Sequence, residues 1–166
     1  MTVAEVLWEG TARTVREATD AWKEEEMGAA RAKAAEDILR IVLELVSAAQ
    51  GVLIRKWSDL FAERISDVET MGDYLENVAA TTINLAQRAR ELAGLAEAEG
   101  YKFNQLPELD LRISKLSDMK DRLAKHWPRF DPVQLERGLA QATRGEFVDP
   151  EEIYREFPEL QDKSRP

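Results

Sequence analysis

The sequence predicts an all-α protein: a long-helix antiparallel bundle or coiled-coil hairpin, followed by a small C-terminal pair of capped helices. Three observations carry that prediction. Apolar residues recur at spacings of three and four through most of the 166 residues, and no β-branched alternation marks a strand. A seven-residue repeat can be followed from Phe61 to Ala96. Two helix-start signals, Phe130-Asp131-Pro132 and Val148-Asp149-Pro150, repeat one another near the end of the chain.

The first element covers residues 3–27. Trp8, Ala12, Val15, Ala18 with Thr19, and then Trp22 form a stripe at spacings of three and four, while Glu9, Arg13 and Glu17 place opposite charges one turn apart. Glu24-Glu25-Glu26 point in three different directions on a helix, which suits a solvated face better than a metal site. The Ala-rich run after Gly28 favours helix. From Ile38 to Val52 apolar residues cover so much of the circumference that the helix needs neighbours on more than one side. Gly28 and Gly51 can each be a bend or a weak point within a longer helix; the sequence leaves both open.

Beyond Gly51 the heptad sets Phe61, Val68, Leu75, Thr82, Ala89 and Ala96 at one seam position. It sets Arg64, Met71, Val78, Leu85 and Leu92 at the other. The expected coiled-coil seam is therefore Phe61, Val68, Met71, Leu75, Val78, Leu85 and Leu92. A single helix over 52–98 would be roughly 70 Å long. Gly100 suits its C-terminal stop.

Pro107 opens the next helix, which runs to about Trp127 with Leu109, Ile113, Leu116, Met119 and Leu123 in its stripe. Helices over about 132–144 and 150–157 close the fold. Asp131 and Asp149 are their expected N-caps, and Gln134 and Glu152 lie three residues on, as in a capping box. Gly145 stands where a left-handed C-cap belongs. The expected division is a helical bundle over 1–127, a helix-turn-helix-like appendage over 128–157 and a disordered tail over 158–166.

Charge narrows the partners. The net charge is −9, and only residues 101–127 are basic, with six Lys and Arg against four Asp and Glu. A surface acidic over most of its length repels phosphate, so nucleic acid is not expected as the partner. No run approaches the roughly 20 apolar residues that a bilayer crossing needs, and a membrane is not expected either. With no basic stretch leading an apolar one near Met1, no secretory leader is expected, and a cytoplasmic location fits best.

The search for chemistry eliminates more than it finds. Cysteine is absent, which removes thiol nucleophiles and Cys-type zinc sites. The single histidine, His126, follows Leu123 by three, so the paired Glu-x-x-His of a di-iron bundle is missing. No glycine pattern matches a phosphate loop. Trp8, Trp22, Trp57 and Trp127 read as core and interface anchors. The expectation is a non-enzymatic protein with no catalytic residue, cofactor or metal, acting through apolar helix stripes on a protein partner or on itself as an oligomer.

One segment suggests a particular partner. In residues 135–156, Leu135, Gly138, Leu139, Ala140, Gly145, Val148, Glu151, Glu152 and Ile153 fill a pattern that resembles the toxin-binding tail of bacterial type II antitoxins. The resemblance implies an antitoxin-like arm that covers a small basic toxin. Its anchors would be Leu135, Leu139, Phe147, Ile153, Tyr154 and Phe157. The chain departs from that family in opening with long helices rather than a DNA-binding element, so operator binding is not implied.

Overall fold

The computed structural model describes residues 2–22, 28–128 and 132–146, together with positions 151 and 155. It divides the chain into two compact units, residues 1–129 and 130–166. Five helices are described: α1 (Val3–Trp22), α2 (Ala29–Phe61), α3 (Val68–Ala98), α4 (Leu106–His126) and α5 (Pro132–Thr143). No strand occurs among the described residues, and the protein is all-α.

The first unit holds α1 to α4 around one apolar core. In the α1 stripe Trp8, Ala12, Val15, Thr19 and Trp22 are buried, and Ala18 is partly buried. Gly28, at φ 125, precedes α2, so the chain breaks there, whereas Gly51 lies within the continuous helix α2. The apolar run of α2 buries Ile38, Leu39, Val42, Leu45, Val46, Ala49, Val52 and Leu53. That burial fits a helix with neighbours on several sides. α2 touches α1, α3 and α4, and α3 touches α1, α2 and α4, while α1 and α4 do not meet.

Specific pairs give the helix directions. The Trp22 indole donates to the Arg31 carbonyl at 2.9 Å, and Lys56 lies 3.7 Å from Glu5, so α1 and α2 run in opposite directions. Trp8 reaches Thr82 and Asp20 reaches Arg88, which makes α1 and α3 run alike. Trp127 donates to the Val68 carbonyl and Arg90 pairs with Asp110, so α4 opposes α3.

Residues 52–98 do not form a single helix, since α2 ends at Phe61 and α3 begins at Val68. Glu63 adopts a left-handed φ of 56, and the Arg64 amide donates back to the Asp59 carbonyl at 2.9 Å, which closes the end of α2. Asp67 then caps α3, accepting from the Thr70 amide at 3.0 Å and the Thr70 hydroxyl at 2.8 Å. Those two donors hold the Asp67 carboxyl below its usual pKa. The signal Ser66-Asp67-Val68-Glu69-Thr70 is a helix start that the heptad count ran across.

The seam changes accordingly. Phe61 ends α2 with 54% of its surface exposed and does not join the seam. Val68 and Met71 are partly buried. Leu75, Val78, Leu85 and Leu92 are buried, with Ala79, Thr82, Ala86, Ala89, Ala93 and Ala96 beside them. Small residues at these positions let neighbouring helices approach closely. We expect Asp67→Ala to fray the first turn of α3, seen as faster amide exchange at Thr70, and Asp67→Ser to reverse most of the effect.

Two helix ends follow the same rule. Gly100 at φ 100 lets the Tyr101 amide reach the Ala96 carbonyl, and Gly145 at φ 73 lets the Glu146 amide reach the Gln141 carbonyl. In the second unit α5 occupies Pro132–Thr143. The caps Asp131 and Asp149, the helix expected over 150–157 and the tail over 158–166 lie outside the described residues, apart from Glu151 and Arg155.

Candidate interaction surfaces

Of the six residues expected to anchor a partner, the structure describes the side chain of one. Leu139, on α5, is 61% exposed, and every described side chain from Glu136 to Glu146 is exposed with it. The side chains of Leu135, Phe147, Ile153, Tyr154 and Phe157 lie outside the described residues. The second unit therefore presents α5 with apolar surface uncovered.

Among the described residues of the first unit, large apolar side chains are exposed on every helix, including Phe61 on α2, Leu95 on α3 and Leu111 on α4, but only α1 carries three of them. Val3, Val6 and Leu7 fall within the first two turns of α1, and Ile54 stands on α2; all four are more than half exposed. Because α1 and α4 do not meet, a groove of about 570 Å³ opens over α2. Leu7 and Thr11 form one wall and Arg112 the other, with Leu43, Glu44, Ser47 and Ala48 as the floor. Arg112 is held by Glu108 at 2.8 Å and also donates to the Ser47 hydroxyl. Sequence reasoning missed this surface because Val3, Leu7 and Ile54 belong to no stripe that was read as core.

A second, polar cleft of about 480 Å³ lies where the start of α1 meets the end of α2 and the start of α3. Its most constrained group is Glu5, 7% exposed. The Thr2 amide donates to the Glu5 carboxylate at 2.6 Å, and the Glu5 amide donates to the Thr2 hydroxyl at 3.3 Å. This is a capping box, legible as Thr2-Val3-Ala4-Glu5 and overlooked in the sequence reading. Burial alone would raise the Glu5 pKa, but the Thr2 hydrogen bonds and the Lys56 ammonium outweigh it and hold the carboxyl below its ordinary 4.5. Tyr74, edge-on to Trp8 at 6.5 Å, is pushed up to about 12 by burial and then by Glu5 and Glu9.

The Glu5 clasp predicts a pH dependence. Its folded pKa lies below the unfolded one, so its contribution is present above about pH 4.5 and is lost as pH falls through the folded value. Glu5→Gln should cost about 1–3 kcal/mol at pH 7, because the mostly covered Lys56 is left without its counter-charge. Urea titrations from pH 7 down to about pH 3 should show the two proteins converging. A constant gap would mean that Glu5 acts by shape alone.

The aromatic residues confirm anchoring roles in the first unit. Trp57 packs against Trp127 at 5.6 Å and against Phe61 at 6.1 Å, closing the corner where α2 and α4 end. His126 is the last residue of α4. Among the described residues no group of three or more His, Cys, Asp or Glu could hold a metal ion, and no helix is long and apolar enough to cross a membrane. Comparison with family models, with curated proteins and with solved structures gives no match to this chain.

Proposed function

We propose that this chain is a non-enzymatic protein–protein interaction or oligomerisation protein, a cytoplasmic antiparallel bundle that presents apolar helix stripes to other helices. The observation that carries the reading is the exposed group Val3, Val6 and Leu7 on α1, with Ile54 on α2. Single exposed apolar residues are ordinary on any surface, but three within five positions of one helix are not scattered. The partner is a protein or a second copy of the chain, since the charge of −9 disfavours nucleic acid. Light scattering after gel filtration, with affinity purification from the native cell, tests the reading. A compact monomer that retains no protein partner would count decisively against it.

A second reading rests on α5. Its exposed side chains, Leu139 among them, and the nine acidic against six basic residues of 128–166 suit an antitoxin-like arm that neutralises a small basic toxin. The gene beside this one should then encode such a protein, and the two should co-purify. Deleting 128–166 should abolish the complex and leave the far-ultraviolet signature of the bundle intact. Binding that survives the deletion sinks this reading.

A further inference from the structure

The outer face of α2 is exposed along most of its length, apart from the Arg112 contact to Ser47 and the Arg40–Asp37 pair. Arg40, Glu44, Ser47, Gly51, Ile54, Arg55 and Ser58 are all exposed, opposite the buried stripe of the same helix. Gly51 stands within the helix, where glycine weakens it. No internal packing explains that choice, for a Cβ at Gly51 would meet nothing within 4 Å. Ile54, one turn on, is 62% exposed.

The charges on this face are self-complementary. Glu44 and Arg55 are eleven positions apart, close to three full turns, so they lie along one side of the face roughly 16 Å apart. Among the described residues neither is in an ion pair. Leu43 and Ile54 are also eleven apart and lie along the other side of the face. A two-fold axis midway between positions 44 and 55 carries each member of the first pair onto the other. It also brings Leu43 beside the second copy's Ile54. Between them Ser47 and Gly51 are small enough for two helix axes to approach closely. The Ser47 hydroxyl oxygen already accepts from Arg112, so covering it does not leave that oxygen without a donor.

We propose that two copies of this chain associate by packing α2 against α2, antiparallel, with each Glu44 opposite the other copy's Arg55. The inference rests on the self-association reading above and names its surface. The strip from Arg40 to Ser58 is roughly 27 Å long and about one helix wide, near 10 Å, with Leu7 at its margin. An area of that order belongs to weak, reversible contacts, so the dimer forms with rising concentration.

Sedimentation velocity on the full chain tests it. The wild type should show a reversible monomer–dimer equilibrium. Glu44→Arg alone, or Arg55→Glu alone, should weaken it about tenfold or more, because like charges then face each other twice. The double variant Glu44→Arg/Arg55→Glu should recover the dimer, since each new Arg meets a new Glu across the axis. Gly51→Leu should abolish it while leaving helix content and thermal midpoint undiminished. A chain that remains monomeric at about 1 mM overturns the inference. If such a monomer still retains another protein in affinity purification, the interaction reading stands without it. A dimer that ignores the single reversals, or is not rescued by the double variant, removes α2 as the surface and keeps self-association.

Discussion

Leu75→Ala is expected to destabilise the first unit by about 2–5 kcal/mol, whereas Phe61→Ala should cost about 1 kcal/mol or less. The heptad put both residues at the same seam position, so the difference isolates what the structure adds. Leu75 has no exposed surface and ranks among the largest fully buried side chains. Removing it leaves a hole in a region where α3 packs against both α1 and α2. Phe61 sits beyond the seam at the end of α2, more than half exposed, with an edge contact to Trp57 as its main aromatic neighbour. Urea denaturation of both variants gives the comparison directly. Equal losses would mean that α2 and α3 share one continuous seam, and the turn between them would have to be redrawn.

The turn also explains how far the sequence could be read. Periodicity marks which face of a helix is covered, and at Trp8, Leu39, Leu75, Leu109 and Leu116 burial follows the apolar stripes. What periodicity cannot mark is a break between two helices whose stripes happen to stay in phase. Positions 61 and 68 are seven apart, so the repeat crosses residues 62–67 as though they were helical. The contrary signal is local: Asp67 three residues before Thr70 is a helix N-cap, which a seven-residue count does not register. Gly51 illustrates the opposite case. Its cost within a helix is about 1 kcal/mol, too little to end α2 when eight or more apolar neighbours are buried around it. The candidate surface was less legible still. Exposure of Val3, Leu7 and Ile54 depends on where α1 and α4 sit around α2, and a single helix pattern does not encode that.

Trp8→Ala should be the most damaging change in α1, at about 3–5 kcal/mol. The reason is partly volume and partly one buried hydrogen bond. The Trp8 indole donates to the Thr82 hydroxyl at 2.8 Å, and that hydroxyl donates in turn to the Val78 carbonyl at 2.8 Å. Thr82 is the one polar residue in an otherwise apolar seam, and it has no exposed surface. Thr82→Val should cost about 1–3 kcal/mol by leaving the indole N–H without an acceptor. Trp8→Phe removes the donor instead, and Thr82 keeps its bond to Val78. In the double variant Trp8→Phe/Thr82→Val no group is stranded, so its loss should fall short of the summed single losses by about 0.5–3 kcal/mol. Additive losses would show that the bond contributes nothing beyond packing.

The same cycle reaches the proposed function through geometry. An apolar seam tolerates sliding by a turn, since one small side chain replaces another. A buried donor and acceptor fit at one offset only, because any slip strands both in a low dielectric. Trp8 and Thr82 therefore set how far α1 lies along α3. That offset decides where Leu7 stands beside Leu43 and Ser47, and so whether the groove over α2 has its second wall. The double variant should consequently retain most of its stability and helix content while amide exchange along α1 quickens as α1 loses a fixed register. Any partner that depends on the α1 wall should bind it less tightly than the wild type. Undiminished binding, together with faster amide exchange along α1, would separate α1 from the interaction surface and leave α2 alone to carry it.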